Sequence, residues 1–389
     1  MAPQDVLGRD ALIATIWRSL ERQSVILSAE RRIGKTSVIR KMESDPPTGV
    51  LPIYRDLEGI KTPLEFAENV FRDVEHYLSA LTRTGARMQA VLKHLGGIQV
   101  GDVLKLPDNV AQRHWKDLLT VTIADMVEQQ EKKVVLFWDE MPYMLYDIAQ
   151  NLGERASMEV LDTLRMLRNQ HPNLRMVFTG SIGLHNVIGA FKKGGYANAP
   201  TNDMKLIDVP TLSLASAVDI AYKLLQGERV DADDVPSTAH AIAEACDGNA
   251  FYVQFIVDRL AQRGEIASVS LVKDIVEECL TDPQDGWHMA HYRERIDTYY
   301  TDSEDRRFAL AILDSAATSA DPLGYDALFN HIKSKIATDD QERARDILKR
   351  LQRDHYLVQD SDGTYRFRFP LIRRSWRLQR GLSLQEDLP

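Results

Sequence analysis

Five short apolar runs punctuate the first two hundred residues, and their spacing limits the folds open to the chain. "SVILSA" (24–29), "VLPIYRDL" (50–57), "KKVVLFWDE" (132–140), "LRMVFTGS" (174–181) and "MKLIDVP" (204–210) read as buried strands. Amphipathic segments such as "TPLEFAENVFRDVEHYLSAL" and "RHWKDLLTVTIADMVEQQEK" separate them. Strand and helix in alternation predict an α/β fold, a parallel sheet covered by helices on both faces. Within it, "GGIQVGDVLKL" (96–106) alternates around Gly101-Asp102 and predicts a small inserted hairpin.

After "SLASAVDIAYKLL" (213–225) the pattern becomes helical, and "DPQDGWHMAHYRERIDTYYTDSEDR" reads as a polar linker, with His288 and His291 as linker or surface histidines. The last eighty or so residues predict three helices, "RRFALAILDSAA", "YDALFNHIKSKI" and "ERARDILKRLQRDHYL", followed by two short alternating runs around Asp362-Gly363. Three helices and a hairpin outline a winged helix-turn-helix. The expected organisation is a core over 1–212, a helical lid domain over 213–282, a linker over 283–302, a winged-helix domain over 303–380 and a tail over 381–389.

Composition narrows the class. With 44% hydrophobic and 27% charged residues in 389, the chain can bury several cores and is not of the disordered type. A net charge of −9 restricts any nucleic-acid contact to a local patch. Cys246 and Cys279 lack metal-ligand spacing and are expected as reduced core thiols. The opening "MAPQDVLGRD" has neither the basic nor the apolar region of a signal peptide, and no apolar run approaches the roughly 18 residues that span a bilayer. A cytoplasmic protein without a membrane partner is expected.

"LSAERRIGKTSVIRK" (27–41) carries the chemistry. It follows a buried strand, opens a helix, and matches the phosphate-binding loop G-x-x-x-x-G-K-[ST] except for Ala29 in the first glycine slot. Backbone N–H groups and the helix dipole at such a turn surround phosphate oxygens. Lys35 would reach the β- and γ-phosphates, and Thr36 would hold Mg²⁺. An alanine at position 29 costs about 1–2 kcal/mol if φ must be positive there, and almost nothing otherwise. Farther on, "VVLFWDEMP" ends an apolar strand in two acids. Asp139 would hold the Mg²⁺ shell and Glu140 would polarise an attacking water, which favours hydrolysis over group transfer. After the next strand, Ser181, or in second place Thr179, would sense the γ-phosphate. Arg165, Arg168, Arg31 and Arg32 are candidate arginine fingers, with surface ion pairs as the competing role for each.

"VLGRDALIATIWRSLERQSVILSAERRIGKTSVI" resembles the opening of the archaeal-type ATPases, a P-loop clade related to the STAND and AAA+ ATPases. The similarity continues through "LPIYRDLEG", "VVLFWDEMP", "FTGSIG", "IDVPTLS" and "GNAFYVQFIVDRL", and on to "YRFRFPLIRRSWR". It implies a P-loop NTPase fold with a five-stranded sheet ordered 5-1-4-3-2, a helical lid over the adenine and a C-terminal winged helix. It also implies ATP as the nucleotide. Gly8 and Arg9 would sit beside the adenine, and Pro210 would contact the base region. Ala29, Arg32, Gly34, Lys35, Thr36 and Ser37 would form the phosphate loop, with Lys35, Glu140 and Ser181 in catalytic roles and Thr36 and Asp139 at the metal. The chain departs from the family at Ala29 and at "GNAFY", which lacks a proline common in relatives.

"RFRFPLIRRSWRLQR" (366–380) holds six arginines and no acid. Arg366, Arg368, Arg373, Arg374 and Arg377 would contact a phosphate backbone in one reading. In the other, the patch docks on an acidic stretch of the same chain such as "ERVDADDVP" (228–236), with Trp376 as a packing residue. The leading function is an ATP-binding, slowly hydrolysing switch whose nucleotide state is relayed through the lid and winged helix to a partner chain or to nucleic acid, with weak self-association. The alternatives are a DNA-binding initiator or remodelling ATPase, and a nucleotide-binding scaffold without turnover.

Overall fold

The structure is a computed structural model that describes residues 3–79, 98–100, 103–105, 108–129, 131–180, 183–193, 195, 196 and 198–383. The helices are α1 (Asp10–Leu20), α2 (Lys35–Ser44), α3 (Pro63–Ser79), α4 (Asp108–Glu128), α5 (Met141–Leu152), α6 (Glu154–Gln170), α7 (Leu184–Lys193), α8 (Leu214–Gly227), α9 (Val235–Ala245), α10 (Ala250–Arg263), α11 (Val269–Thr281), α12 (Ala290–Tyr299), α13 (Ser303–Thr318), α14 (Tyr325–Ile336), α15 (Gln341–Arg353) and α16 (Pro370–Gln379). The strands are β1 (Val25–Ser28), β2 (Val50–Asp56), β3 (Ile98–Val100), β4 (Val103–Lys105), β5 (Lys133–Asp139), β6 (Leu174–Phe178), β7 (Lys205–Asp208), β8 (Leu357–Gln359) and β9 (Tyr365–Phe367).

The chain divides into two compact units, one of residues 1–28 and 35–209, the other of residues 29–34 and 210–389. In the first, β2-β5-β6-β1-β7 form a five-stranded sheet, and every pairing is parallel. Counted within the sheet this is 2-3-4-1-5, the expected order read from its other edge. β5 lies between two neighbours and is buried from Val134 to Asp139, which explains its unbroken apolar run. Successive β5 side chains face opposite sides of the sheet. Phe137 meets Trp17 of α1 edge-on at 5.9 Å, while Trp138 meets Phe66 of α3 at 5.1 Å. Those two helices therefore cover opposite faces. β3 and β4 pair antiparallel with Ile98 opposite Lys105, the inserted hairpin expected from the alternation.

The second unit is helical with one hairpin. Gly248 is obligatory: its φ is +69°, and a Cβ there would lie 2.4 Å from the Leu212 carbonyl oxygen. The next residue, Asn249, caps α10 by accepting the Phe251 amide at 3.0 Å. "GNAFY" is thus a close approach followed by a helix cap. Residues 283–302, expected as a linker, instead carry α12, with Trp287 fully buried and Tyr292 nearly so. His291 is 6% exposed rather than on the surface, and burial lowers its pKa to about 3, so it is neutral. α13, α14 and α15 precede β8 and β9, which pair antiparallel, and Leu323 bridges to Tyr365 beside them. Cys246 and Cys279 are buried free thiols.

Asp247 joins two helical elements of this unit by accepting the Leu371 amide in the first turn of α16 at 2.7 Å. Burial pushes its carboxyl up to about 6 from an ordinary 3.8. The folded state binds this proton more tightly than the unfolded chain, so the residue weakens the fold as pH rises through that interval, and the penalty is constant above it. Asp247→Asn keeps an acceptor for Leu371 and removes the charge. It is expected to raise unfolding stability above about pH 7 by on the order of 2–3 kcal/mol. Urea titrations at several pH values should show that gain shrinking as pH falls through about 6 and vanishing below about 4.

Candidate functional site

The C-terminal ends of β5 and β6 carry Asp139, Glu140 and Thr179, at the edge where open α/β sheets bind ligands. Lys35 and Thr36 open α2, so their amides lie at its positive end. The Thr36 hydroxyl donates to Asp139 Oδ2 at 2.6 Å, closing a contact between the first turn of α2 and the end of β5. Asp139 is 3% exposed, and its Oδ1 accepts the Glu140 amide at 3.1 Å. Burial pushes its carboxyl pKa up. The Thr36 hydrogen bond, the Glu140 amide and the Lys35 charge oppose that rise, while the nearby Asp56 adds to it. Asp56 ends β2 in register with Asp139, so two strand-end carboxylates share one edge.

Glu140 occupies the left-handed region (φ 54°, ψ 27°) just before α5. A non-glycine residue there costs on the order of 1–2 kcal/mol, and such residues collect at functional sites. Its neighbours hold it in place. The Met141 amide donates to the Thr179 carbonyl at 3.0 Å, and the Thr179 amide donates to the Trp138 carbonyl at 3.1 Å. Gly180 makes the approach possible, because a Cβ there would lie 2.6 Å from Pro142 Cδ and 3.4 Å from Glu140 Cα. Thr179 is 1% exposed, and its hydroxyl has no hydrogen-bond partner among the described residues. Ser181, the first choice as sensor, lies outside the described residues.

The conditional cost at Ala29 resolves to its lower value, and positive φ falls elsewhere in the loop. Ala29 is absent from the positive-φ residues, whereas Arg32 (65°) and Gly34 (98°) adopt that conformation. The alanine therefore carries no left-handed penalty. Arg32, expected at the nucleotide, directs its guanidinium 4.1 Å over the Phe251 ring and donates to the Trp287 carbonyl at 3.4 Å. Gly8 has φ 68°, and Arg9 is 4% exposed with its pKa lowered by burial. Ser37 follows Thr36 in the first turn of α2, and Pro210 opens the main run of the second unit.

Among the finger candidates, Arg168 is spent. It binds Asp203 through two bonds of 2.7 and 2.9 Å and donates to the Pro200 carbonyl at 2.8 Å. Arg165 donates to the Ala199 carbonyl at 3.3 Å. The C-terminal arginines are largely engaged within their own unit. Arg366 binds Asp360 at 2.8 Å, Arg368 donates to His355 at 2.9 Å, Arg373 donates to the Ala317 carbonyl at 3.1 Å and Arg374 pairs with Glu277. Arg380 binds Asp314 at 2.5 and 2.7 Å, and Trp376, 2% exposed, donates to the same carboxylate. The acids that pair with its arginines are Asp360, Glu277 and Asp314, not those of 228–236.

Sequence reasoning missed Asp56, Gly180 and Glu30. A strand-end acid in "LPIYRDLEG" was a visible signal for the first. Gly180 needed the approach of two strand ends, which no single stretch of sequence displays. The clearest departure from expectation is at Glu30, in the loop itself, where an acid is only 2% exposed.

The family described as AAA domain matches residues 18–188. A comparison with curated proteins gives no match. Among solved structures, the Walker-type ATPase PABY2304 of Pyrococcus abyssi superposes with a TM-score of 0.62 at 17% identity, covering 96% of this chain and 97% of that one. The ORC2 protein of Aeropyrum pernix, in its ADPNP–ADP complexes, gives 0.54 at 13% identity, covering 98% of this chain and 97% of that one. With the sheet order, these likenesses establish the P-loop NTPase fold. Among the described residues no helix is long and apolar enough to cross a membrane.

Gly180→Ala is expected to lower unfolding stability by about 1–3 kcal/mol, since the added methyl must displace the Pro142 ring. Gly189→Ala, in α7 with nothing within 4 Å of the added carbon, is the control. It should leave stability unchanged or raise it by up to about 1 kcal/mol. Urea midpoints of the two variants measure the difference.

Proposed function

We propose that this chain binds ATP with Mg²⁺ and hydrolyses it slowly, acting as a switch whose nucleotide state is passed to the C-terminal helices and from there to a protein partner. The 2.6 Å bond between Thr36 and Asp139 carries the reading, because it joins the end of the phosphate-loop motif to the strand-end acid on one edge of the sheet. The donor set suits Mg²⁺: a hydroxyl and a carboxylate supply hard oxygen ligands, and Mg²⁺ characteristically takes its others from water and phosphate. Among the described residues no cluster of three or more His, Cys, Asp or Glu forms a dedicated metal cage, which agrees with a metal that arrives with the nucleotide. When bound, Mg²⁺ neutralises charge on the phosphate oxygens.

The residues then divide the work. Lys35, 6% exposed, meets the terminal phosphates as a fixed positive charge. Thr36 would turn its hydroxyl oxygen from Asp139 toward the metal. Glu140 accepts the proton of the attacking water. The unpartnered hydroxyl of Thr179 is supplied for an oxygen of the γ-phosphate, a role assigned first to Ser181 from sequence. Gly8, Arg9 and Pro210 are assigned to the base. The left-handed penalty that Ala29 avoids favours a working site over an inert scaffold.

A protein partner is favoured over nucleic acid by the arginines of 366–380, most of which already have acids or carbonyls. The exposed charges of α15, where a winged helix would read DNA, are Glu342 and Asp346 followed by Lys349 and Arg353, so acids match bases in number. DNA-directed remodelling remains the alternative that the assay below separates.

Phosphate release by the purified protein should be slow and Mg²⁺-dependent. Glu140→Gln should lower it by roughly 10²-fold or more while nucleotide binding persists. Lys35→Ala should abolish both. Duplex DNA should leave the rate unchanged; strong stimulation would move the reading to a DNA-remodelling ATPase, and release that survives both substitutions would refute the site.

A further inference from the structure

The crown of the phosphate loop, residues 29–34, packs within the same unit as the C-terminal helices. Three of its side chains are taken up there. Glu30 and Ile33 are 2% exposed, and Arg32 lies on Phe251 beside the Trp287 carbonyl. Among residues 30–33 Arg31 is exposed and Arg32 is half-buried. Solvent-exposed charges would be the simple choice for a loop that only needs backbone amides to cradle phosphate. A buried carboxylate in that place demands compensation.

Arg295 of α12 supplies an opposite charge, and Tyr292 of the same helix also approaches the carboxylate. The Arg295 Nη1 lies 3.6 Å from Glu30 Oε2, and its Nη2 donates to the Asp354 carbonyl, just past α15, at 3.4 Å. The guanidinium also sits 5.5 Å over the Tyr356 ring. Tyr356 in turn donates to the Tyr292 carbonyl at 2.6 Å, and Tyr300 donates to Asp354 Oδ2 at 2.8 Å. One side chain therefore touches both the phosphate loop and the C-terminal end of α15, inside a collar of tyrosines. The loop runs directly into Lys35, so any displacement of Glu30 reaches the phosphate-binding lysine through five peptide bonds.

We infer that Arg295 is a positioning residue for the nucleotide site: through Glu30 it holds the loop crown in its phosphate-accepting shape and makes nucleotide affinity depend on how α12 and the end of α15 are packed. This rests on the proposed nucleotide reading and adds the route by which occupancy and the C-terminal helices influence each other. By linkage the influence is mutual, so whatever seats or unseats the end of α15 changes nucleotide affinity by the same factor that nucleotide changes its seating.

The test is a double-substitution cycle on the full chain with Glu30→Gln, Arg295→Met and the pair together, plus Arg295→Lys as the conservative variant. Binding of a fluorescent ATP with Mg²⁺ is read by anisotropy, and fold integrity by circular dichroism. Each single change is expected to weaken binding by about tenfold, and the double variant no more than either single, because both remove one link. Arg295→Lys should recover most of the loss. Folded single variants with unchanged affinity, or losses that multiply in the double variant, would overturn the inference. If Arg295→Met does not fold, the near-isosteric Glu30→Gln and Arg295→Lys decide on the same criterion. Hydrogen exchange of the nucleotide-free protein separates this claim from the nucleotide reading. Faster exchange over residues 30–36 and 350–357 in Glu30→Gln supports the link even if the wild type binds no ATP, and exchange unchanged in both segments refutes it.

Discussion

A single short hydrogen bond, from Thr36 to Asp139 at 2.6 Å, is the constraint around which the nucleotide-binding fold is arranged. It brings residues from distant stretches of sequence to the same edge of the sheet. The cost is an acid buried at the end of the most enclosed strand, with its pKa raised by that burial. A carboxylate kept in such a place, beside a hydroxyl, an amide and a lysine, supports the proposed metal site. The left-handed Glu140 and the close approach at Gly180 lie beside that acid, where the chain leaves regular structure.

The second constraint is the loop crown. A phosphate loop read as sequence looks like a local device, four residues between two glycine slots. In the structure its side chains belong to the C-terminal unit, through Glu30 with Arg295 and Arg32 with Phe251. This gives a physical sense to a switch: the element that would grip phosphate is also a packing element of the helices that would report the grip. The loop adopts its positive φ values at Arg32 and Gly34, which leaves the irregular Ala29 without energetic consequence.

The sheet, its order and the joined motif halves were legible because buried parallel strands write long apolar runs and because loop and acid each follow one of them. The contact between Thr36 and Asp139 joins two motifs that the sequence displays separately. Other features were hidden for definite reasons. His291 and Trp287 sit in a polar, punctuated stretch, and their burial comes from packing partners far away in sequence, so composition pointed to a linker. The arginines of 366–380 formed a local excess of charge, but their acids, Asp360, Glu277 and Asp314, are scattered over more than eighty residues. Arg295 carried no signal, because its importance depends on a tertiary contact with an acid in a loop that sequence had already explained.

Electron paramagnetic resonance with Mn²⁺ in place of Mg²⁺ tests the convergence of Thr36 and Asp139 on a metal and a triphosphate most directly. The free-ion signal should fall stoichiometrically with protein only when ATP is present, the bound signal should show phosphorus coupling, and Thr36→Val should abolish both effects. Mn²⁺ uptake that ignores nucleotide, or that survives Thr36→Val unchanged, would contradict the account.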